Sequence, residues 1–267
     1  MFSYIFNYFF TKEEEEVEKE IQGGLKVKIN LKEGIASIVK SPNVSRNVLI
    51  PRFVEHKNKK YKIISIEKDA FNWKNIDSLA FPDDSEIKTF EKDCISYTHL
   101  KKLRIPPSLE NLNDGWCDNI YDLNEITVSS KNSNFVYFNN QFLLGKTNIY
   151  SGEFDILYFA RCNIENAVIP SHVKVIKSGS FKGHKNLKTI TFPENSQLKI
   201  IESSFSYSSL EKLVLPASVE TIDVFCFNNI YNLNEIEISP ANSNFIIYEH
   251  KYLLKESKKG SKNFDFI

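Results

Sequence analysis

Apolar positions recur along this chain with a fixed period, seen most clearly in two consecutive 23-residue stretches that end at Pro193 and Pro216. The first reads SHVKVIKSGSFKGHKNLKTITFP and the second reads ENSQLKIIESSFSYSSLEKLVLP. In each, an isoleucine is followed five residues later by phenylalanine, and the stretch closes with Leu-x-x-Φ-x-Φ-Pro, where Φ is apolar. A period of about 20 to 50 residues is typical of a solenoid, a propeller or an array.

The same apolar skeleton aligns six units along the chain. Their phenylalanine positions hold Phe71, Ile95, Cys117, Phe181, Phe205 and Phe227. Their proline positions hold Pro82, Pro106, Ser129, Pro193, Pro216 and Ser239. A longer echo links DNIYDLNEITVSSKNSNFVYFNNQFLL, from Asp118, to NNIYNLNEIEISPANSNFIIYEHKYLL, from Asn228, at an offset of 110 residues. The chain is therefore internally duplicated, with an N-S-N-F segment and a probable hairpin after each set of repeats.

Each unit predicts one coil of short strands. The closing Φ-x-Φ alternates as a strand does, so that both apolar side chains face one way. Proline then removes a backbone donor and turns the chain. One unit has too few apolar residues to fold alone, but stacking buries each file, at roughly 1.5–3 kcal/mol per phenylalanine or leucine. We therefore predict a β-rich repeat solenoid, in which Phe71, Phe181, Phe205 and Phe227 share an interior file.

The flanking segments complete the predicted domain organisation. Residues 1–24 are expected to form an N-terminal helix or tail, because Phe2, Ile5, Phe6 and Phe9 have the spacing of one helical stripe and a glutamate run follows. Residues 25–267 are expected to form one solenoid. Its parts are an N-terminal hairpin cap (25–50), repeats (51–129), a hairpin insertion (130–169), further repeats (170–239) and a C-terminal hairpin (240–267). Return strands are predicted at Asp155–Phe159 and Phe264–Ile267, and the second either caps the array or belongs to a longer array that has been cut.

The repeated pattern, with VIKSGSF and IIESSF before the leucine, resembles the BspA-like (Treponema-type) leucine-rich repeat family over residues 25–267. The resemblance implies a curved leucine-rich-repeat array with a short parallel sheet on its concave face and hairpin insertions. It also implies a relation to surface antigens and adhesins of bacteria and protists, which contact host or matrix proteins.

Composition narrows the possible partners. The chain has 34 basic and 34 acidic residues, which argues against a nucleic-acid binder because phosphate recognition needs a basic surplus. No apolar run approaches the ~20 residues of a membrane span, and no basic residue precedes the apolar start as a secretory signal requires. The family resemblance favours the cell surface, whereas the missing signal favours the cytoplasm. Membrane contact by the N-terminal segment is disfavoured by its acidic flank.

Catalytic and metal-binding signals are absent from the sequence. Cys94, Cys117, Cys162 and Cys226 form no C-x-x-C pair and are expected to be buried free thiols. The five histidines lack metal-binding spacing and are expected on turns or loops, and no P-loop, dinucleotide or G-x-S-x-G motif occurs. We expect no enzyme and no cofactor, and retain a hydrolase in residues 130–169 only as a check. Asn43-Val44-Ser45 is the one glycosylation sequon.

The remaining candidate site is the outer face of the strand segments, which leucine-rich solenoids use for binding. Alternation predicts two outward columns. The first contains Ser78, Lys102, Glu125, Thr189, Lys212 and Glu235, and the second contains Ala80, Arg104, Thr127, Thr191, Val214 and Glu237.

These columns are either a mixed solvated surface or a protein-docking face that is basic at Lys101, Lys102 and Arg104 and acidic at Glu235 and Glu237. The sequence thus predicts a non-enzymatic protein-interaction module whose protein partner comes from a host, from the matrix or from the chain itself. The alternative is an intracellular scaffold that uses the N-terminal helix for self-association or membrane contact.

Overall fold

Short strands and turns alternate along the chain in the computed structural model, which describes residues 15–248, 252–256 and 264–266. The strands are numbered β1 to β24 in chain order, and the one helical turn is a 3-10 turn at Gln22–Gly24. Two four-stranded parallel sheets, here called the front sheets, line one side of the molecule. They consist of β4 (Asn47–Leu49), β7 (Ser78–Ala80), β9 (Lys102–Ile105) and β11 (Glu125–Val128), then β15 (Asn166–Val168), β17 (Thr189–Thr191), β19 (Lys212–Leu215) and β21 (Glu235–Ile238).

The opposite side carries the back sheets. Their parallel strands are β3 (Ile35–Val39), β6 (Lys59–Ile66), β8 (Thr89–Phe90) and β10 (Asn111–Leu112), then β14 (Ile156–Ala160), β16 (Val175–Ile176), β18 (Ile200–Ile201) and β20 (Thr221–Ile222). Each coil contributes one back strand and one front strand, so the described residues contain eight such coils. The Φ-x-Φ side chains of the front strands, for example Leu103 and Ile105, are buried between the two sides. The predicted β-rich solenoid is confirmed.

An antiparallel meander begins each block of coils. The first meander runs β1 (Glu16–Ile21), β2 (Leu25–Asn30) and β3, and the second runs β12 (Phe135–Phe138), β13 (Phe142–Gly145) and β14. In both, the third strand pairs in parallel with the next coil. A third meander contains β22 (Phe245–Tyr248), β23 (Tyr252–Glu256) and β24 (Phe264–Phe266). The remaining strand, β5 (Phe53–His56), forms a hairpin with β6.

The predicted N-terminal helix is wrong for its last turn and a half, and its first 14 residues lie outside the described residues. Residues 16–21 are strand β1, paired antiparallel with β2 so that Glu18 faces Lys28 and Glu20 faces Lys26. Opposite charges facing each other across strands stabilise the pair. The glutamate run is therefore complementary to the lysines of LKVKIN, a partner that the helical spacing could not show.

Residues 130–169 contain more than the predicted hairpin. The hairpin is present as β12 and β13, and the return strand predicted at Asp155–Phe159 is β14 at Ile156–Ala160. The segment also supplies β15, so it closes a complete coil that ends at Pro170. Alignment on phenylalanine missed this coil because Cys162 stands five residues after Leu157, where its neighbours have phenylalanine.

The proline position starts a tight turn in successive coils. Its carbonyl accepts a hydrogen bond from the amide three residues later, as in Ser85 N to Pro82 O at 3.1 Å and Val219 N to Pro216 O at 3.4 Å. Serine does the same at positions 129 and 239, with Asn132 N to Ser129 O at 2.9 Å and Asn242 N to Ser239 O at 2.8 Å. Serine keeps its own backbone donor, and that donor bonds to the preceding coil, which proline cannot do.

The N-S-N-F segments work as side-chain clamps. The Asn132 amide donates to the carbonyls of Pro106 at 2.7 Å and Leu109 at 3.1 Å, and its Oδ1 accepts from the Phe135 amide. Asn242 repeats this arrangement with Pro216 at 2.9 Å and Val219 at 3.1 Å. The duplication seen in the sequence is thus a duplication of hydrogen bonds, which fixes each hairpin against the coils before it.

Stacked rings run through the interior from the first phenylalanine-containing coils to the last, and we call them the aromatic spine. Neighbouring ring centroids lie 5.5–6.1 Å apart along it. The rings are Phe81, Phe90, Trp116, Phe159, His184, Phe181, Phe205 and Phe227. The predicted file is confirmed for Phe181, Phe205 and Phe227. Phe71 is buried at the equivalent position, but its next coils have Ile95 and Cys117 there, so the rings continue through other positions.

His184 joins the two halves of this spine. It is fully buried, its Nε2 lies 2.8 Å from the carbonyl oxygen of Ala160, and burial lowers the pKa of its imidazole. The ring is therefore neutral near pH 7, since charging it would place an unpaired cation among Phe159 and Phe181. Its position in a turn agrees with the prediction, whereas its packing role has no signal in the sequence.

We predict that His184 makes the protein acid-sensitive. Its pKa is lower in the folded than in the unfolded chain, so its stabilisation is complete above pH ~6.5 and declines as pH falls toward the folded value, by at most ~1.4 kcal/mol per pH unit. Denaturant melts between pH 7.5 and 5 should show this slope, and His184→Leu should flatten it. His99→Leu is the control, because the His99 side chain is 67% exposed. An unchanged slope in His184→Leu would contradict the assignment.

The third side of each coil is a loop, and the coil that contains β15 is too short to have one. Ala167 follows Leu157 by ten residues, whereas Ile190 follows Ile176 by 14. The loops before and after it therefore meet directly, with Lys182 paired to Asp118. Gly183 has a φ of +77°, and a Cβ there would lie 2.6 Å from the Tyr121 ring. Glycine at this position provides both the left-handed backbone and the space.

The four cysteines are free and buried, as expected from the sequence. Burial raises the pKa of Cys94 and Cys117 well above the ordinary thiol value and raises those of Cys162 and Cys226 to about 12. Cys94 Sγ and Cys162 Sγ each point to a backbone carbonyl, of Trp116 and Ile120 respectively.

These thiols should be unreactive in the native protein, because the thiolate is the reactive form. We predict that a disulfide reagent such as DTNB titrates none of the four in minutes in buffer and all four in guanidinium chloride. Their rate of modification in intermediate denaturant should follow unfolding. Rapid modification of even one thiol in native protein would contradict this burial.

Candidate protein-binding face

The two predicted columns lie in register on the outer side of the front sheets, which we call the sheet face. Ser78 pairs with Lys102 and Lys102 with Glu125 in one sheet, and Thr189 pairs with Lys212 and Lys212 with Glu235 in the other. None of the twelve predicted residues is buried. The exposed ones are Lys102, Glu125, Thr127, Thr191, Glu235 and Glu237, and the half-buried ones are Ser78, Ala80, Arg104, Thr189, Lys212 and Val214. Register of this kind aligns side chains at the strand spacing of about 4.8 Å.

Charges on the sheet face are paired locally. Lys102 Nζ lies 2.8 Å from a carboxylate oxygen of Glu125, and Lys212 Nζ lies 2.8 Å from both Glu235 and Glu237. Hydrogen bonding to the two glutamates raises the pKa of Lys212, and the Lys212 ammonium lowers the pKa of Glu237.

The basic end is neutralised in the same way. Lys101 pairs with Asp77 at 3.6 Å, and Arg104 pairs with Asp83. The hypothesis of a basic end facing an acidic end is therefore revised: parallel register places each lysine beside the acid of its neighbouring coil, so the face is polar and locally neutral.

A four-residue row occurs twice on the sheet face. In the first block it is Asn47, Ser78, Lys102 and Glu125, and in the second it is Asn166, Thr189, Lys212 and Glu235. Ser78 Oγ donates to Asn47 Oδ1 at 2.8 Å, and Thr189 Oγ1 donates to Asn166 Oδ1 at 2.7 Å. The sheet face thus presents the same polar arrangement twice, four coils apart.

The sequence prediction missed the two strands that begin each row. Asn47 and Leu49 lie on β4, and Asn166 and Val168 lie on β15. Leu49 and Val168 are 63% and 59% exposed, so each row starts beside an uncovered apolar side chain. The signal was present as NVLIP and NAVIP, which keep the Φ-Pro ending although their coils lack the phenylalanine.

A polar cleft of about 470 Å³ opens where the first front sheet ends. It is lined by Asp83, Arg104, Thr127, Val128, Ser129, Ser130 and Lys131. Two predicted face residues, Arg104 and Thr127, form part of its wall. The cleft gives the otherwise regular surface one recess at the junction between the blocks.

The loop side also exposes aromatic rings that the sequence analysis did not single out. Trp73 is 69% exposed, and its ring stacks on Tyr97 with centroids 4.0 Å apart. Both residues have positive φ, a conformation that repeats from coil to coil at this edge. These rings lie away from the sheet face and provide reference positions for testing it.

Comparison with known families agrees with this architecture. A family model described as the BspA type leucine rich repeat region matches in six copies over residues 54–150 and 153–253. The chain belongs to this family. The BspA-type match covers the coils from β5 onward, including the short coil that alignment on phenylalanine missed.

Solved structures show the same fold. A leucine rich cell surface protein from Faecalibacterium prausnitzii is 18% identical, with a TM-score of 0.50, over 91% of this chain and 59% of that one. A leucine-rich repeat protein from Eubacterium ventriosum is 16% identical, with a TM-score of 0.52, over 84% of this chain and 72% of that one. The BspA-type chain thus spans less than two thirds of the first structure. Comparison with curated proteins found no match.

Two other findings bear on the chemistry of the BspA-type chain. In the ranges that the structure describes, no group of three or more histidine, cysteine, aspartate or glutamate side chains could hold a metal ion. The same ranges contain no helix with the length and apolar character needed to cross a bilayer.

Proposed function

We propose that this BspA-type chain is a non-enzymatic protein-interaction module that binds a protein partner through the sheet face. The observation that carries the proposal is the polar row that occurs twice in register across the two front sheets. Solenoids bind through such extended faces because stacked repeats hold many side chains in a fixed array. The four cysteines, which are the strongest nucleophiles of the chain, are buried with raised pKa values, which supports a non-enzymatic role.

The arrangement of the face supports binding without large reorganisation. Ser78, Thr189 and the paired lysines already have hydrogen-bond partners within the sheet, so their side chains lose little freedom when a partner docks. Exposed Thr127 and Thr191 add small groups that can donate and accept hydrogen bonds. Zero net charge supports a protein partner over a nucleic acid.

The setting that we propose is the cell surface, with a host, matrix or second bacterial-type surface protein as partner. The support is the family and the printed description of the Faecalibacterium prausnitzii structure as a cell surface protein. The intracellular scaffold depends on the N-terminal segment, whose first 14 residues lie outside the described part of the chain. Surface biotinylation of the tagged chain in its own cells separates the two settings.

Site-specific photo-crosslinking tests the face directly. A photoreactive phenylalanine at Thr127 or Thr191 should capture a partner in the native setting, whereas the same residue at Trp73 on the loop side should capture none. Lys102→Glu with Arg104→Glu should abolish the capture, because both reversals place like charges beside Glu125 and Asp83. Lys88→Glu with Lys199→Glu, at ion pairs beside the back strands, is the matched control. Capture at Trp73 alone would refute the proposed face.

A further inference from the structure

A second candidate site lies outside the sheet face, in a cleft of about 490 Å³ at the start of the solenoid. Its walls come from β1, β4 and β5, and Ile21, Val48, Leu49 and Phe53 supply apolar surface. Lys19 and Glu55 supply charge at the rim. Leu49 is 63% exposed, which is high for a leucine at the wall of a cleft.

Strand β4 presents a free edge to this cleft. It is the end strand of the first front sheet, and among the described strands only β7 pairs with it. The Ile50 amide donates to Ala80 O on the β7 side at 3.0 Å. Because amides alternate in direction along a strand, the Leu49 amide points to the cleft side. An unpaired edge of this kind is a template for an added strand.

The internal duplication shows what neighbours the equivalent strand. β15 has the sequence N-A-V-I-P where β4 has N-V-L-I-P. The turn that leads into β15 rests on the coil of β11, through Cys162 N to Leu123 O at 3.0 Å and Asn163 N to Asn124 Oδ1 at 2.9 Å. At β4 the corresponding turn rests on the first meander instead, through Ser45 N to Gly23 O at 3.0 Å. No coil precedes β4 in the described residues, and the cleft occupies that place.

We propose that this cleft binds an extended peptide of the Leu-x-x-Φ-x-Φ type, added in parallel along β4. The chain's own LNEITV, residues 123–128, is the pattern that neighbours the equivalent strand. Its alternate apolar side chains suit the wall formed by Val48, Leu49 and Phe53, and its glutamate suits the rim lysine, Lys19. The partner class is therefore a protein segment that presents this pattern in extended form, and the proposal does not depend on the function of the sheet face.

A synthetic peptide tests this site on the full chain. The probe is NIYDLNEITVSS, residues 119–130 with a fluorescent label, and its control has serine in place of the three apolar residues at 123, 126 and 128. Saturable binding of the first peptide alone is expected by anisotropy. Leu49→Asp should weaken it by about tenfold or more, since it replaces an apolar contact with a charge. Val168→Asp, 59% exposed at the same place on β15, should change it by less than about twofold.

Amide hydrogen exchange gives a second readout that a folding defect does not imitate. Peptide binding should slow exchange at the Leu49 amide and leave the Val168 amide unchanged, while both aspartate variants melt like the parent chain. Equal binding of both peptides, equal loss in the two variants, or no binding would overturn the proposal. Self-association that Leu49→Asp abolishes, without peptide binding, would assign the edge to a second copy and overturn it as well.

Discussion

Trp116→Ala should lower the free energy of unfolding by about 3–5 kcal/mol, which is typical of removing a fully enclosed large aromatic side chain. Trp116 is 2% exposed, and its ring lies between those of Phe90 and Phe159, with centroids 5.9 and 6.1 Å away. The substitution opens a cavity in the aromatic spine at the coil just before the junction of the two blocks. Denaturant melts followed by circular dichroism measure the loss.

The second tryptophan provides the control. Trp73 is 69% exposed, so Trp73→Ala should cost less than about 1 kcal/mol, as surface substitutions usually do. A cavity at Trp116 should also uncouple the blocks, so that the transition broadens or splits, since repeat arrays depend on interfaces between neighbouring coils. Equal effects of the two alanine substitutions would mean that Trp116 is not enclosed as described.

Phe205→Ala should be of similar size, about 3–5 kcal/mol. Phe205 is fully buried, and its ring lies 5.5 Å from that of Phe181 and 6.0 Å from that of Phe227. The matched control is Phe225→Ala in the adjoining coil, because Phe225 is 60% exposed. Thermal and denaturant unfolding should separate the two variants clearly, and near-equal stability would contradict the phenylalanine file. Phe205→Leu should recover part of the loss, because it refills most of the volume.

The sequence could predict those parts of the fold that one coil determines. Leucine and Φ positions are buried because each coil repeats the same alternation, so Leu187, Ile190, Leu213 and Leu215 could be placed in the core directly. The outward columns follow from the same alternation, and every face residue predicted in this way is exposed or half-buried. Local periodicity was sufficient here because the neighbouring coils are alike.

Features that depend on a partner distant in sequence could not be predicted. Strand β1 required the lysines of β2 opposite its glutamates, and the helical stripe before it favoured another structure. The coil containing β15 was missed because its loop is absent and Cys162 takes the phenylalanine position. His184 and Trp116 stand outside the repeated positions, so nothing in the pattern indicated that their rings complete the spine.

The candidate site shows the same division. Alternation placed Lys102 and Glu235 on the face, but only the register between coils shows that each lysine faces a glutamate. A charge count along the chain therefore gave a polarised surface where the structure has paired charges. The repetition of the polar row required two coils without phenylalanine to be recognised as coils.

The central claim is that one continuous spine of rings joins both blocks, and proton distances across the junction test it most directly. Selectively labelled protein should give nuclear Overhauser contacts from the Trp116 indole to the Phe159 ring and from the Phe159 ring to the His184 imidazole, whose centroids lie 6.1 and 5.6 Å apart. Observation of both contacts is the predicted result. Their absence, with contacts retained inside each block, would show two separate cores and contradict the account.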